Sequence, residues 1–348
     1  MSVQHISGLT QLDFEREFNT RIHVETNPSY SSKQKLLSKF SIWWDSRCYT
    51  LNACVVSTIC LTSEQKIIRV GKFPELPPDY ELIPYLKKNG TLKNADGSVS
   101  QGYHGTTFHV RHKLDSHHYA LKMIKDFNAD KDAYLRELNN LAELPFHNNI
   151  LRYFTCAMFK ERLFIAAEYI DGCTFGSLTY SNPPPSKVSI RTVALQLFSG
   201  LKHFHMKPMV HRDIHETNIL LRYKQGTNEV DYSNPRCVVI IDVGNARQVA
   251  KRGQNVSFIP GMTRYYSPER FEGKPLNDKD DVWAAACLIC ELVVGEAFPS
   301  HEVISDFLIK VMNKDEKLGL IMNSILTELD PEKRPSSDKI KTELAIFC

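Results

Sequence analysis

The chain has no long block of basic residues. Its formal net charge of +3 is spread through both halves, which argues against nucleic acid or an anionic membrane as the main partner. The longest apolar stretch in its first part, Leu51 to Leu61, is too short to cross a bilayer, so no membrane span is expected. The opening residues, MSVQHISGLTQLDFEREF, lack a basic region leading into an apolar one, and no signal peptide is read there. The nine cysteines form no repeating framework. An odd number scattered over 348 residues points to reduced thiols in a soluble, cytoplasmic protein. The close pair Cys287 and Cys290 falls in an apolar helical run and reads as core rather than as metal ligands.

What is present is a globular composition, 42% apolar and 24% charged, in a chain long enough for two or three packed units. Residues 1–73 open on a charged, helical pattern and continue in β-rich runs at Cys54 to Leu61 and Lys66 to Val70, with Trp43 and Trp44 as anchors of a small core. Neither a function nor a regulatory partner is legible for this segment. Residues 74–92 begin with four prolines between Phe73 and Pro84, which disfavours regular structure and reads as a linker.

From residue 93 onward the order of signals is informative. Gly102 and Gly105 stand three apart in a strand-turn-strand pattern, where missing side chains let backbone amides approach phosphates. Tyr119 to Ile124 places Lys122 inside an apolar strand, where a lysine needs a partner. Glu137 is the candidate, in a stretch whose leucines keep helical spacing. A second apolar strand, Leu163 to Ile170, ends at Asp171-Gly172, a change suited to a hinge. The segment VHRDIHETNILL, Val210 to Leu221, puts Asp213 and Asn218 between apolar anchors. A carboxylate and a carboxamide at that spacing can accept a hydroxyl proton and hold a divalent cation. Finally, four β-type residues from Val238 to Ile241 deliver Asp242 to a buried strand end, where an acid is costly unless it meets a cation or capping amides.

Taken together, this series resembles the eukaryotic-type protein kinase family across residues 95 to 345. GMTRYYSPE, ending at Glu269, is similar to its substrate-docking loop, the helix pattern from Asp281 to its buried central helix, and Asp330-Pro331 with Arg334-Pro335 to its closing motif, whose arginine pairs with the residue that is here Glu269. The resemblance implies an α+β, bilobal domain over 93–348, a small β-rich N-lobe followed by a larger, mainly helical C-lobe, preceded by the small β-containing segment. It implies ATP and Mg²⁺ as cofactors and a protein as substrate. Lys122, oriented by Glu137, would hold the α- and β-phosphates; Asp213 would accept the hydroxyl proton; Asn218 and Asp242 would ligate Mg²⁺. The nucleotide-binding set would add Gly102, Gly105, Thr107, Ala120, Glu168, Ile170 and Leu220. Leu141, Tyr153, His211 and Val243 match the family's four stacked side chains.

The departures bear on activity. Ser100 replaces the first loop glycine, Thr107 the usual valine, Val243 the usual phenylalanine, and His215 the lysine of serine/threonine kinases; Met262 stands in a threonine position and Ala167 is a small residue ahead of Glu168. Thr263 is read as a substitute partner for Asp213, and YKQGTNEVDYSNP as a polar surface insertion. The leading expectation is a protein kinase acting on Ser or Thr. Two alternatives stand beside it: a nucleotide-binding pseudokinase scaffold, and a small-molecule phosphotransferase with a histidine in the place of His215.

Overall fold

The computed structural model describes residues 59–61, 67–69, 76–84, 94, 96–102, 105–124, 140, 144, 146–159, 162–248, 262–299 and 303–347. The chain divides into two compact units, Met1–Leu138 with Arg152–Tyr169, and Asn139–Leu151 with Ile170–Cys348.

The first unit is built on sheets. Strands β1 (Ile59–Leu61) and β2 (Ile67–Arg69) pair antiparallel within the two β-rich runs read from the sequence. A six-stranded sheet follows: β3 (Tyr80–Leu82), β4 (Ser100–Gln101), β5 (Gly105–His112), β6 (His118–Ile124), β7 (Tyr153–Phe159) and β8 (Arg162–Glu168). Its order is β3-β5-β6-β8-β7, with β4 also on β5. Strand side chains alternate between faces. One face buries Phe108, Val110, Leu121, Met123, Phe164 and Ala166 as a core. By the same alternation Thr107, Ala120, Lys122 and Ala167 share the other face, with Thr107 opposite Lys122 and Ala120 opposite Ala167.

The stretch read as a linker contributes β3, which pairs with β5 through Tyr80–His112, Glu81–Arg111 and Leu82–Val110. Prolines stop a strand only where the missing N–H is needed. Here Pro77, Pro78 and Pro84 flank the strand, and the turn before it is closed by Tyr80 N donating to Pro77 O at 3.1 Å. Leu82 and Tyr80 then pack against the core of the sheet.

The second unit is mainly helical. Strand β9 (Gly172–Thr174) leads into α1 (Phe175–Thr179) and the long α2 (Lys187–Met206). Ser186 caps α2, its Oγ accepting from Ser189 N at 3.1 Å. Short strands β10 (Met209–Val210), β11 (Ile219–Arg222), β12 (Val238–Ile240) and β13 (Arg247–Gln248) follow, pairing as β12-β11-β9 and β10-β13. The polar insertion after β11 is a surface hairpin, with Tyr223 bridged to Val230 and Lys224 N bonded to Glu229 O. Next come α3 (Pro268–Phe271), α4 (Asp278–Val294), α5 (Ile304–Lys314), α6 (Glu316–Leu326) and α7 (Ser337–Leu344). Apart from Glu291, helix α4 is apolar all round from Val282 onward, and it is buried along most of its length, as a helix without a polar face must be. It ends on Gly295, whose φ of 76° is open to glycine without strain. Arg334 grips Glu269 with two buried hydrogen bonds of 2.7 and 3.0 Å, the pairing expected of the closing motif. Among the described residues, no helix is long and apolar enough to cross a membrane. The sheet-rich and helical units are the two lobes expected from the sequence.

Candidate active site

The loop between β10 and β11 holds the largest set of candidate residues, and the first turn of α4 holds the loop. The Asp281 carboxylate accepts from His211 N at 2.7 Å and from Arg212 N at 2.8 Å. His205 Nε2 meets the same carboxylate at 3.1 Å. Burial alone would raise the pKa of Asp281, but the His205 hydrogen bond, the charges of His205 and His211 and the bond from the His211 amide bring it below the ordinary carboxylate range. The loop therefore hangs from a buried anion. On its other side His211 Nε2 donates to Ile241 O at 3.1 Å, next to Asp242, and the His211 ring packs edge-on against Phe204.

Asp213 follows with three neighbours. Asn218 Nδ2 donates to its backbone oxygen at 3.0 Å and to Oδ2 at 3.1 Å. Asn245 Nδ2 donates to the same Oδ2 at 3.1 Å. His215 Nε2 lies 3.5 Å from Oδ1 and 2.8 Å from Asn218 Nδ2. Burial pushes the Asp213 carboxyl up, but the bond and charge of His215, the charge of His211 and the Asn245 amide outweigh it, so the pKa lies below the ordinary value. At neutral pH this group is an oriented carboxylate, able to accept a proton.

Asn218 is fixed at both ends of its backbone, its N–H on His215 O and its carbonyl on Ile241 N. Asp242 comes directly after that contact. It holds left-handed backbone at φ 61°, uncommon for a side-chain-bearing residue, and its Oδ1 accepts from Gly244 N at 3.2 Å. The turn that follows is held by Ala246 N on Val243 O and by the buried Asn140, whose amide donates to Ala246 O at 2.8 Å. Val243 is buried at 1% exposure. Its side chain is smaller than the phenylalanine usual there, and Asn140 supplies a polar tie to the same turn.

In the first unit, Gly102 N donates to Gly105 O at 2.8 Å across the glycine turn. A side chain at Gly105 would meet Met123 O at 2.6 Å, so glycine is required by close backbone approach. Glu168 accepts from Arg152 N through Oε1 and donates its own N–H to Arg152 O. In the second unit, Leu220 pairs with Val239 and Thr174 in the three-stranded sheet, and Ile170 is buried. Glu137, Leu141 and Ser257 lie outside the described residues.

The structure thus assembles Asp213, Asn218 and His215 within one loop and ties Asp242 to it through Ile241. It also adds Asn245 and Asn140, which sequence reasoning missed. Asn245 stands directly after Gly244, but no spacing rule says that an amide there reaches back to Asp213, 32 residues away. Among the described residues no hydrogen bond joins Thr263 to Asp213; Asn245 takes the part expected of Thr263. Tyr265 is buried, with its hydroxyl set between Glu216 at 3.0 Å and Glu291 at 2.8 Å.

Residues 94–345 match the family model of the protein kinase domain. Serine/threonine-protein kinase Nek8 of Danio rerio is 29% identical over 257 residues, which cover 70% of this chain and 35% of that protein. Serine/threonine-protein kinase Nek5 of Mus musculus is 30% identical over 199 residues, 56% of this chain and 29% of that protein. Dual specificity testis-specific protein kinase 1 of Rattus norvegicus is 28% identical over 200 residues, 56% of this chain and 30% of that protein. The chain thus spans about a third of the length of these relatives. A family model that matches well over half of the chain, on a fold with the same sheet-rich and helical parts, places this chain in the protein kinase family.

Proposed function

We propose that the chain transfers the γ-phosphoryl group of ATP to Ser or Thr hydroxyls of protein substrates. The observation that carries this reading is the Asp213 carboxylate, oriented by His215, Asn218 and Asn245 in a loop hung from Asp281. The substrate hydroxyl oxygen forms a bond to the γ-phosphorus as the bond to the β-γ bridging oxygen breaks; the hydroxyl proton passes to Asp213 and ADP leaves. Serine/threonine kinases among the similar proteins support the acceptor class.

The second unit fits a Mg²⁺ ion. Hard divalent cations take oxygen ligands, and the loop end offers the Asp242 carboxylate and the Asn218 carboxamide. With the Asn218 amide nitrogen on Asp213, the oxygen of the same group is the atom that can serve a cation. When bound, Mg²⁺ would neutralise phosphate charge. In the first unit Lys122 lies on the face opposite the sheet's core, with Thr107 and Ala120, where its ammonium would hold phosphate and its small neighbours would admit a planar base. The glycine turn would lend amides to the phosphates.

The test is phosphate incorporation from labelled ATP with phosphosite mass spectrometry, wild type beside Asp213→Ala. Transfer by the wild type and its loss in the variant is the expected outcome. Binding of ATP and Mg²⁺ by thermal shift with no transfer would instead support a nucleotide-binding scaffold.

A further inference from the structure

Asn245 has no part in the family pattern that the sequence shows, yet both of its polar ends reach the loop that carries Asp213. Its side-chain amide donates to Asp213 Oδ2 at 3.1 Å, and its backbone carbonyl accepts from Arg212 Nε at 2.8 Å. Two consecutive loop residues are thus held by one residue that follows Asp242 by three. We propose that Asn245 is a positioning residue for phosphoryl transfer: it fixes the plane of the Asp213 carboxylate and makes that orientation depend on the turn from Asp242 to Ala246. The proposal rests on the kinase reading and adds to it a coupling between the proton acceptor and the metal-binding turn.

The argument begins with the freedom of a carboxylate. Rotation about the bond that joins it to Cβ is broad, so its plane is set by the donors it meets. Asp213 Oδ2 has two amide donors at the same distance. Asn218 belongs to the same loop and moves with it. Among the described residues, Asn245 is the hydrogen-bond donor to this side chain that comes from outside the loop. Two donors converging on Oδ2 from separate segments leave Oδ1, near His215 Nε2, as the oxygen set apart from them.

Asn245 is itself placed by the turn. Gly244 N on Asp242 Oδ1, Ala246 N on Val243 O and the Asn140 amide on Ala246 O lock the residues to either side of it, and Val243 and Ala246 are buried. If the turn opened, the Asp213 donor and the Arg212 acceptor would leave together. The proton acceptor would therefore be oriented only when Asp242 is in place.

The test uses the full chain, with autophosphorylation rate read from labelled ATP and Mg²⁺-ATP affinity read by calorimetry. Misplacing a reacting group lowers rate rather than binding, so Asn245→Ala should slow transfer about tenfold while affinity stays within about twofold. Asn245→Asp should be slower still, because it turns a donor into a second carboxylate facing Oδ2. A purely structural role predicts the reverse order, since an aspartate side chain can accept the local hydrogen bonds of a turn and an alanine cannot, while both keep the backbone carbonyl that accepts from Arg212. In an Asp213→Asn background, Asn245→Ala should add little further loss. An unchanged rate in Asn245→Ala, an Asp variant at least as fast as the Ala variant, or a loss of ATP affinity equal to the loss of rate would each overturn the proposal. A wild type that transfers no phosphate would overturn it together with the kinase reading, whereas an active wild type indifferent to residue 245 would overturn the coupling alone.

Discussion

Arg212 shows how much a single residue is constrained here. Its backbone is left-handed at φ 66°, its side chain is 1% exposed, and its Nε is used on Asn245 O. Among the described residues its two Nη atoms have no hydrogen-bond partner. Burial, and then the charges of Arg247 and Arg270, bring its pKa down to about 10, which still leaves it cationic at neutral pH. A buried cation with two unused donor atoms suits a doubly charged acceptor such as a phosphate on the segment after Asp242. Ser257, one of the hydroxyls on that segment and a candidate bearer, lies outside the described residues. If it is the bearer, Ser257→Ala and Arg212→Ala should each slow transfer about tenfold, the scale of one charge-assisted hydrogen bond, and the double variant should be little slower than either. Additive losses in the rate assay, or full activity in Ser257→Ala, would remove Ser257 from this role. The residue types at Arg212, Asp213 and Asn218 were legible because their spacing is local. Asn245 was not, because its partner is brought to it by the fold.

At the scale of elements, the N-terminus of α6 gives a prediction with a pH sign. Asp315 caps the helix, Oδ1 accepting from Leu318 N at 3.2 Å, and takes two hydrogen bonds of 2.7 and 2.8 Å from Arg191 on α2. Burial would raise its pKa, but the Arg191 hydrogen bonds, with the Leu318 amide and the Arg191 charge, bring it below the ordinary value. A carboxyl whose folded pKa is depressed contributes stability that is fully present above its unfolded pKa, near 4, and is lost as pH falls through the folded value. Asp315→Ala should therefore lower unfolding free energy by about 2 kcal/mol at pH 7, from lost cap and lost pair, and the gap from wild type should narrow below about pH 4. Denaturant unfolding at both pH values checks this; a gap that persists unchanged in acid would show that lost packing, not charge, is responsible. The Arg334–Glu269 pair is deeper. Arg334→Met leaves Glu269 buried and unpaired and should destabilise by about 3–5 kcal/mol, measured in the same way. The sequence order pointed to this pair and to α4. It misled at β3, where prolines suggested a linker although a strand fits between them.

At the scale of the whole molecule, the kinase reading requires one group from each unit. Lys122 belongs to the sheet-rich unit and Asp242 to the helical one. Lys122→Ala and Asp242→Ala should each reduce phosphate transfer by at least about a hundredfold with little change in melting temperature, since each removes a group from phosphate or metal rather than from a core. Retained transfer in both would defeat the assignment. The strands and helices that carry these residues follow from periodicity, because an apolar stripe at period 2 or 3.6 has to be buried, and the motif order followed from local spacing along the chain. The sequence by itself therefore determined the two-part architecture and the family, and it nominated Lys122, Asp213, Asn218 and Asp242 as the residues to test. Only the tertiary structure decided what surrounds them: the Asp281 anchor 68 positions beyond Asp213 in the numbering, the Asn140 and Asn245 ties on the turn, and the strand set between prolines. Those choices are hydrogen bonds between segments distant in sequence, and a hydrogen bond depends on where two groups lie in space, which no local pattern of residues records.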